Sequence, residues 1–163
     1  MKIAFANPAV AKTGIVCVGV MSGRKMTDSA KALDKVINGA IARTIKVGRF
    51  EGNMGQSITL PAPDGSKLDA VIVLGMGEAK KLTELSLQDL GGKVYASTCK
   101  SGSSTVSISV DAAPGCKLSA DRMAAEIAYG ARLRSYSFTK YITVKGKDFD
   151  PTLKTLAMNV VDG

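Results

Sequence analysis

Apolar and polar positions switch between a two-residue and a 3.6-residue period along this chain, and the switches outline its elements. Lys2 to Ala6 and Thr13 to Met21 read as strands, the second rich in β-branched residues. Ser22-Gly23-Arg24-Lys25 then reads as a turn, and Asp28 as the cap of a helix running to about Lys46. Ala30, Leu33, Ile37, Ala40, Ile41 and Ile45 recur at three- and four-residue steps, which places them on one face of that helix. Gly48 and Gly52 to Gly55 mark a turn region before a strand over Gln56 to Leu60. Pro61-Ala62-Pro63-Asp64-Gly65 stops that strand. Leu68 to Leu74 is a continuous apolar run, short enough for a strand buried on both faces, and ends at Gly75-Met76-Gly77.

A second helix is expected from near Ser86, whose spacing to Asp89 resembles a capping box. Leu87, Leu90, Val94 and Thr98 keep its period, while Gly91-Gly92 weakens it. Thr105 to Val110 is the next strand, and a Pro114-Gly115 turn leads to a third helix from Ser119 to about Arg134. Met123, Ile127 and Ala131 face inward on it, and Leu153 to Val161 forms a last strand after Pro151. Strands alternating with helices predict an α/β fold with a sheet flanked by helices on both faces.

Composition narrows this further. A length of 163 residues fits one domain, residues 1–163, and 45% apolar residues with 5% aromatics give an aliphatic core. The chain has no histidine, and Cys17, Cys99 and Cys116 form no CxxC pair, which excludes the usual Cys/His zinc patterns. All three thiols are expected to stay reduced, which points to the cytoplasm. Asn7, Pro8 and Lys12 interrupt the apolar start, so it reads as strands and not as a secretory leader. No run approaches the ~18–20 apolar residues of a membrane helix. The formal charge of +8 permits contact with a polyanion without establishing it.

Four features could carry chemistry. Gly75-Met76-Gly77 could approach a phosphate at a strand end, but the third glycine of a dinucleotide fingerprint is missing and Glu78 would repel the anion. A tight turn explains it better. Asp64, Asp69, Glu78, Glu84, Asp148 and Asp150 read as turn and cap residues, not as an acid–base pair. Without histidine no Ser-His or Cys-His nucleophile exists. Finally, Arg132, Arg134, Lys140, Lys145 and Lys147 interleave with Tyr136, Phe138 and Tyr141, which would suit phosphates and stacked bases. The preferred account of that stretch is an amphipathic connection whose lysines stay wet, because no nucleic-acid motif accompanies it.

Phe50-Glu51-Gly52-Asn53-Met54-Gly55-Gln56, Asp64-Gly65 and the run from Asp69 to Gly77 together resemble the N-terminal domain of leucyl (cytosol) aminopeptidases. Leu82-Thr83-Glu84, Leu90-Gly91-Gly92 and the segment Ala124 to Ala131, followed by Leu133 and Ser135 to Tyr141, extend the resemblance in the same order. It implies a macro-like three-layer domain, a mixed, mostly parallel sheet flanked by helices on both faces, at the outer corners of a hexamer. The parent enzyme would remove N-terminal residues, leucine preferred, with two divalent metals, zinc or manganese, held by Asp, Glu and Lys of a separate C-terminal domain. That domain's Asn-Thr-Asp-Ala-Glu-Gly-Arg segment and Lys-rich glycine segment are absent here, so no catalytic or metal-binding residue transfers to this chain and it needs no cofactor of its own. The expected role is accessory, with the C-terminal catalytic domain and further copies as partners. Some members of the family contact DNA, which makes a nucleic-acid module the second reading. A macro-type nucleotide pocket is the third.

Overall fold

The structure, a computed structural model, describes residues 1–6, 11–136 and 151–161. Chain order within them is β1 (Lys2–Ala6), β2 (Thr13–Met21), β3 (Lys25–Met26), α1 (Asp28–Val36), α2 (Ala40–Val47), β4 (Ser57–Pro61), β5 (Lys67–Gly77), α3 (Glu84–Thr98), β6 (Thr105–Asp111), α4 (Ala120–Ser135) and β7 (Thr155–Val161). The described strands make one sheet in the order β1-β7-β6-β2-β5-β4, with β3 paired to β2. Pairings β1–β7, β7–β6, β6–β2 and β2–β5 are parallel, whereas β4–β5 and β2–β3 are antiparallel. The mixed, mostly parallel sheet expected from the family resemblance is what forms.

Side-chain alternation along the central strands feeds two cores. Ile15 and Cys17 of β2 and Ile72, Leu74 and Met76 of β5 join α3 and α4 on one face. Val16, Val18 and Val20 of β2, with Val71 and Val73 of β5, meet α1 and α2 on the other. Asp69 is an extra residue in β5, since Gly14 pairs with Leu68 and Ile15 with Ala70. Its carboxylate accepts a 2.6 Å bond from the Ser103 hydroxyl.

Four local expectations are corrected. The helix read as continuous from Asp28 to about Lys46 is two helices, because Asn38 and Gly39 turn left-handed at φ of 55° and 74°. Gly39 offers α2 no side-chain cap, so the buried Asp34 reaches across the break and accepts from the amides of Ile41 (2.7 Å) and Ala42 (3.3 Å). The apolar stripe survives the break, which hid it. At the start of α1 the cap is Thr27, one residue before Asp28. In α3 the cap is Thr83, and Ser86 is its reciprocal partner: each backbone N–H is accepted by the other's hydroxyl. The span Ser22–Lys25, read as a turn, also ends in the short strand β3.

Gly91-Gly92 does not end α3. The Gly91 Cα sits so close to the Ile127 carbonyl, and the Gly130 Cα to the Gln88 carbonyl, that a Cβ at either position would collide with the facing backbone. These glycines let α3 and α4 lie side by side, and the Gln88 amide donates to Glu126 at 2.6 Å across the same seam.

Candidate functional site

Gly75 and Gly77 close the longest strand, and their amides are already committed. Gly75 N–H donates to Gln56 O at 2.7 Å and Gly77 N–H to Gly52 O at 2.8 Å. A Cβ on Gly75 would strike Asn53 O, and one on Gly52, which has φ of 78°, would strike Met21 O. The two glycine clusters of the sequence therefore pack backbone to backbone. With these donors taken, Gly75 and Gly77 form no phosphate cradle.

The α1 N-terminus is the second place where an anion could sit, and the protein fills it with its own carboxylate. Asp111, at the end of β6, accepts from Ser29 N–H (3.2 Å) and the Ser29 hydroxyl (2.6 Å), while Thr27 takes the amide of Ala30. Asp28 adds negative charge to the same turn. A phosphate there would meet two carboxylates, with the Ser29 and Ala30 amides already taken.

Beside this turn, at the carboxyl ends of β2, β5 and β6, opens a cleft of about 640 Å³. It is lined by the end of β2 and β3, the first turn of α1, residues 77–80 and the Ala112-Ala113-Pro114 loop.

The remaining sequence candidates are scattered. Arg132 and Arg134 are exposed in the last turn of α4, and Lys140, Lys145 and Lys147 lie outside the described residues. Glu78 pairs with Lys81 at 2.8 Å, and Glu84 pairs with Arg122, also at 2.8 Å. Asp64 is exposed, and Asp148 and Asp150 lie outside the described residues. Arg122 also contacts Glu126 at 2.7 Å, and hydrogen bonding to Glu84 followed by the Glu126 charge raises its pKa.

Sequence reading passed over three engaged carboxylates, Asp34, Asp111 and Glu126, of which Asp111 keeps a buried Oδ2 with no hydrogen-bond partner among the described residues. Only Asp34 carried a signal, a lone acid inside an apolar helical stripe five residues before an uncapped glycine. Among the described residues no three His, Cys, Asp or Glu side chains gather as a metal site would need. Asp34, Asp111 and Glu126 are each engaged on separate elements. The described residues do not fit a two-metal centre.

Residues 17–145 match the N-terminal domain of the cytosol aminopeptidase family. This chain belongs to that family. A probable cytosol aminopeptidase of Chelativorans sp. (strain BNC1) is 37% identical over 86% of the chain, which spans 27% of that protein. One from Agrobacterium fabrum is 33% identical over 98% of the chain and 31% of its own length. A solved structure of a mutant tomato leucine aminopeptidase aligns over 100% of this chain and 32% of its own, with a TM-score of 0.76 and 21% identity. The macrodomain of Mycobacterium tuberculosis DarG aligns over 98% of both chains with a TM-score of 0.66 at 8% identity, a likeness of fold alone. The cytosol aminopeptidase domain here thus spans under a third of those enzymes.

Within that family frame the glycines acquire roles. Phe50 is buried under α1 and α2, and the Gly52–Gly55 turn after it closes onto Gly75 and Gly77. Gly91 and Gly130 close the α3–α4 seam. These quoted positions of the cytosol aminopeptidase domain maintain the fold. No described helix is long and apolar enough to cross a membrane.

Proposed function

We propose that the chain, as one unit over residues 1–163, is the non-catalytic N-terminal accessory domain of a cytoplasmic, two-metal leucyl aminopeptidase. In this reading it supports hexamer assembly or limits access to the active site, and the C-terminal domain carries zinc or manganese and removes N-terminal residues from peptides. The observation that carries it is the match over residues 17–145 to a domain defined as N-terminal, in relatives more than three times as long. The commitment of Asp34, Asp111 and Glu126 to caps and an ion pair agrees with chemistry supplied elsewhere.

The test is to read the gene beyond the Gly163 codon and compare the resulting enzyme with a version lacking residues 1–163. Light scattering should show a smaller assembly for the truncated enzyme, or leucyl-anilide hydrolysis should change its dependence on peptide length. Identical assembly and identical turnover of short and long peptides would reject an accessory role.

A second reading, DNA contact, draws on exposed Arg132 and Arg134, which have no acidic partner among the described residues, and on the charge of +8. Lys140, Lys145 and Lys147 would extend that surface. Reversing Arg132, Arg134 and Lys140 should then abolish DNA retention at low salt, and unchanged retention would remove this reading.

A further inference from the structure

The cleft at the carboxyl ends of the strands lies where the chain reverses its direction of growth across the sheet. After β2 the chain lays down β4 and β5 on one side of it, then crosses to β6 and β7 on the other. Open α/β sheets form their ligand crevices at such points, and about 640 Å³ suits a small organic molecule.

Its walls divide by chemistry. Met21, Met26, Ala113 and Pro114 give an apolar side. The charged residues on its lining are Lys25, Lys31, Lys80, Asp28 and Glu78. Lys31 neutralises Asp28 at 3.1 Å, and Lys81, just outside the lining, neutralises Glu78 at 2.8 Å. Lys25 and Lys80 are exposed and have no acidic partner among the described residues. Even with Asp111 counted, positive charge is in surplus. The Ser29 and Ala30 amides of α1 are occupied by Asp111 and Thr27, so ammonium groups, not a backbone cradle, would read a ligand's charge.

We propose that this cleft binds a small amphipathic organic anion, its apolar body against Met21, Met26 and Pro114 and its charged end held by Lys25 and Lys80. Flexible lysines lose rotamer freedom on binding, so the affinity should be modest, with Kd of about 1 mM.

The experiment titrates the 163-residue protein with N-acetyl-leucine, AMP, inorganic phosphate and leucinamide, following amide chemical shifts. N-acetyl-leucine, AMP or both should shift the amides of Met21, Ala79 and Ala113, and bind more tightly than phosphate or leucinamide. Binding of the first alone identifies a carboxylate ligand, and of the second alone a phosphate ester. The exposed substitutions K25Q and K80Q together should weaken that binding about tenfold without lowering Tm. The proposal is overturned by an absence of saturable shifts up to about 20 mM. It is equally overturned by binding that K25Q/K80Q leaves intact, or by phosphate or leucinamide binding as well as the amphipathic anions.

Discussion

On one face of the sheet, α1 and α2 each rest a single stripe on the strands, through Ala30, Leu33, Ile37, Ile41 and Ile45, and turn their charged residues, Asp34 excepted, to water. On the other face, α3 and α4 have two neighbours each, the sheet and one another. A helix with one buried stripe writes a clean 3.6-residue pattern into its sequence. A helix buried on two flanks must place small residues where backbones meet and polar residues where the seam reaches solvent. Hence Gly91, Gly130, Gln88 and Glu126 blur the pattern of the more tightly packed pair. A weak amphipathic signal can therefore mark more burial.

The sharpest way to break this contrast is Gly91→Ala or Gly130→Ala. Alanine raises helix propensity by about 1 kcal/mol, but its Cβ collides with facing backbone, so a net loss of about 3 kcal/mol is expected in urea unfolding. A stabilised Gly130→Ala protein would show that the helices can part freely. On the α1/α2 face the equivalent weak point is the broken helix. Asp34→Ala removes the only side-chain cap of α2 among the described residues and should lower stability by about 2 kcal/mol, with amide exchange rising first at Ile41 and Ala42. Unchanged protection of those amides would mean that the break caps itself.

A third test reads how tightly the α3/α4 face is sealed. Burial pushes the Cys17 thiol from 9.0 up to about 12. Because the folded pKa is raised, the unfolded thiol ionises first, and stability is intact below pH 9 and lost as pH climbs towards 12. The slope is about 1.4 kcal/mol per pH unit in that window. Compared with Cys17→Val, the native chain should lose about 1 kcal/mol more between pH 9 and pH 10, where the unfolded thiol is still part-way through its titration. Parallel pH curves would mean that water reaches the thiol.

The smallest expected effect has the opposite sign. A Cβ at Gly92 would have ordinary contact, 3.8 Å from the Arg134 Cβ, so Gly92→Ala should stabilise by about 0.5–1 kcal/mol, read as a rise in Tm. A fall would show that the close seam extends beyond Gly91 and Gly130.

Much of the fold was legible because strands and one-sided helices repeat their burial at fixed periods. β1, β2 and β6 fall where the alternation placed them, and the three helical regions are real. The α1–α2 break was illegible because Ile37, Ile41 and Ile45 keep the same face across it, and only left-handed Asn38 and Gly39 reveal the turn. For the candidate site less was readable. The cleft draws its lining from loops after β2, β5 and β6, which stand far apart in sequence and meet only because those strands are neighbours.

By itself the sequence determined the α/β class, the composition of the core, the lack of any histidine chemistry and the kinship with cytosol aminopeptidase N-terminal domains. Each of these depends on local periodicity, residue inventory or ordered motifs, all carried by neighbours along the chain. Only the tertiary structure decided that Gly75 and Gly77 serve Gly52 and Gln56 instead of a phosphate, and that Asp111 fills the α1 N-terminus. It also decided that Lys25 and Lys80 share one cleft. Those outcomes turn on which distant donors and acceptors come within about 3 Å of one another, and strand order sets that.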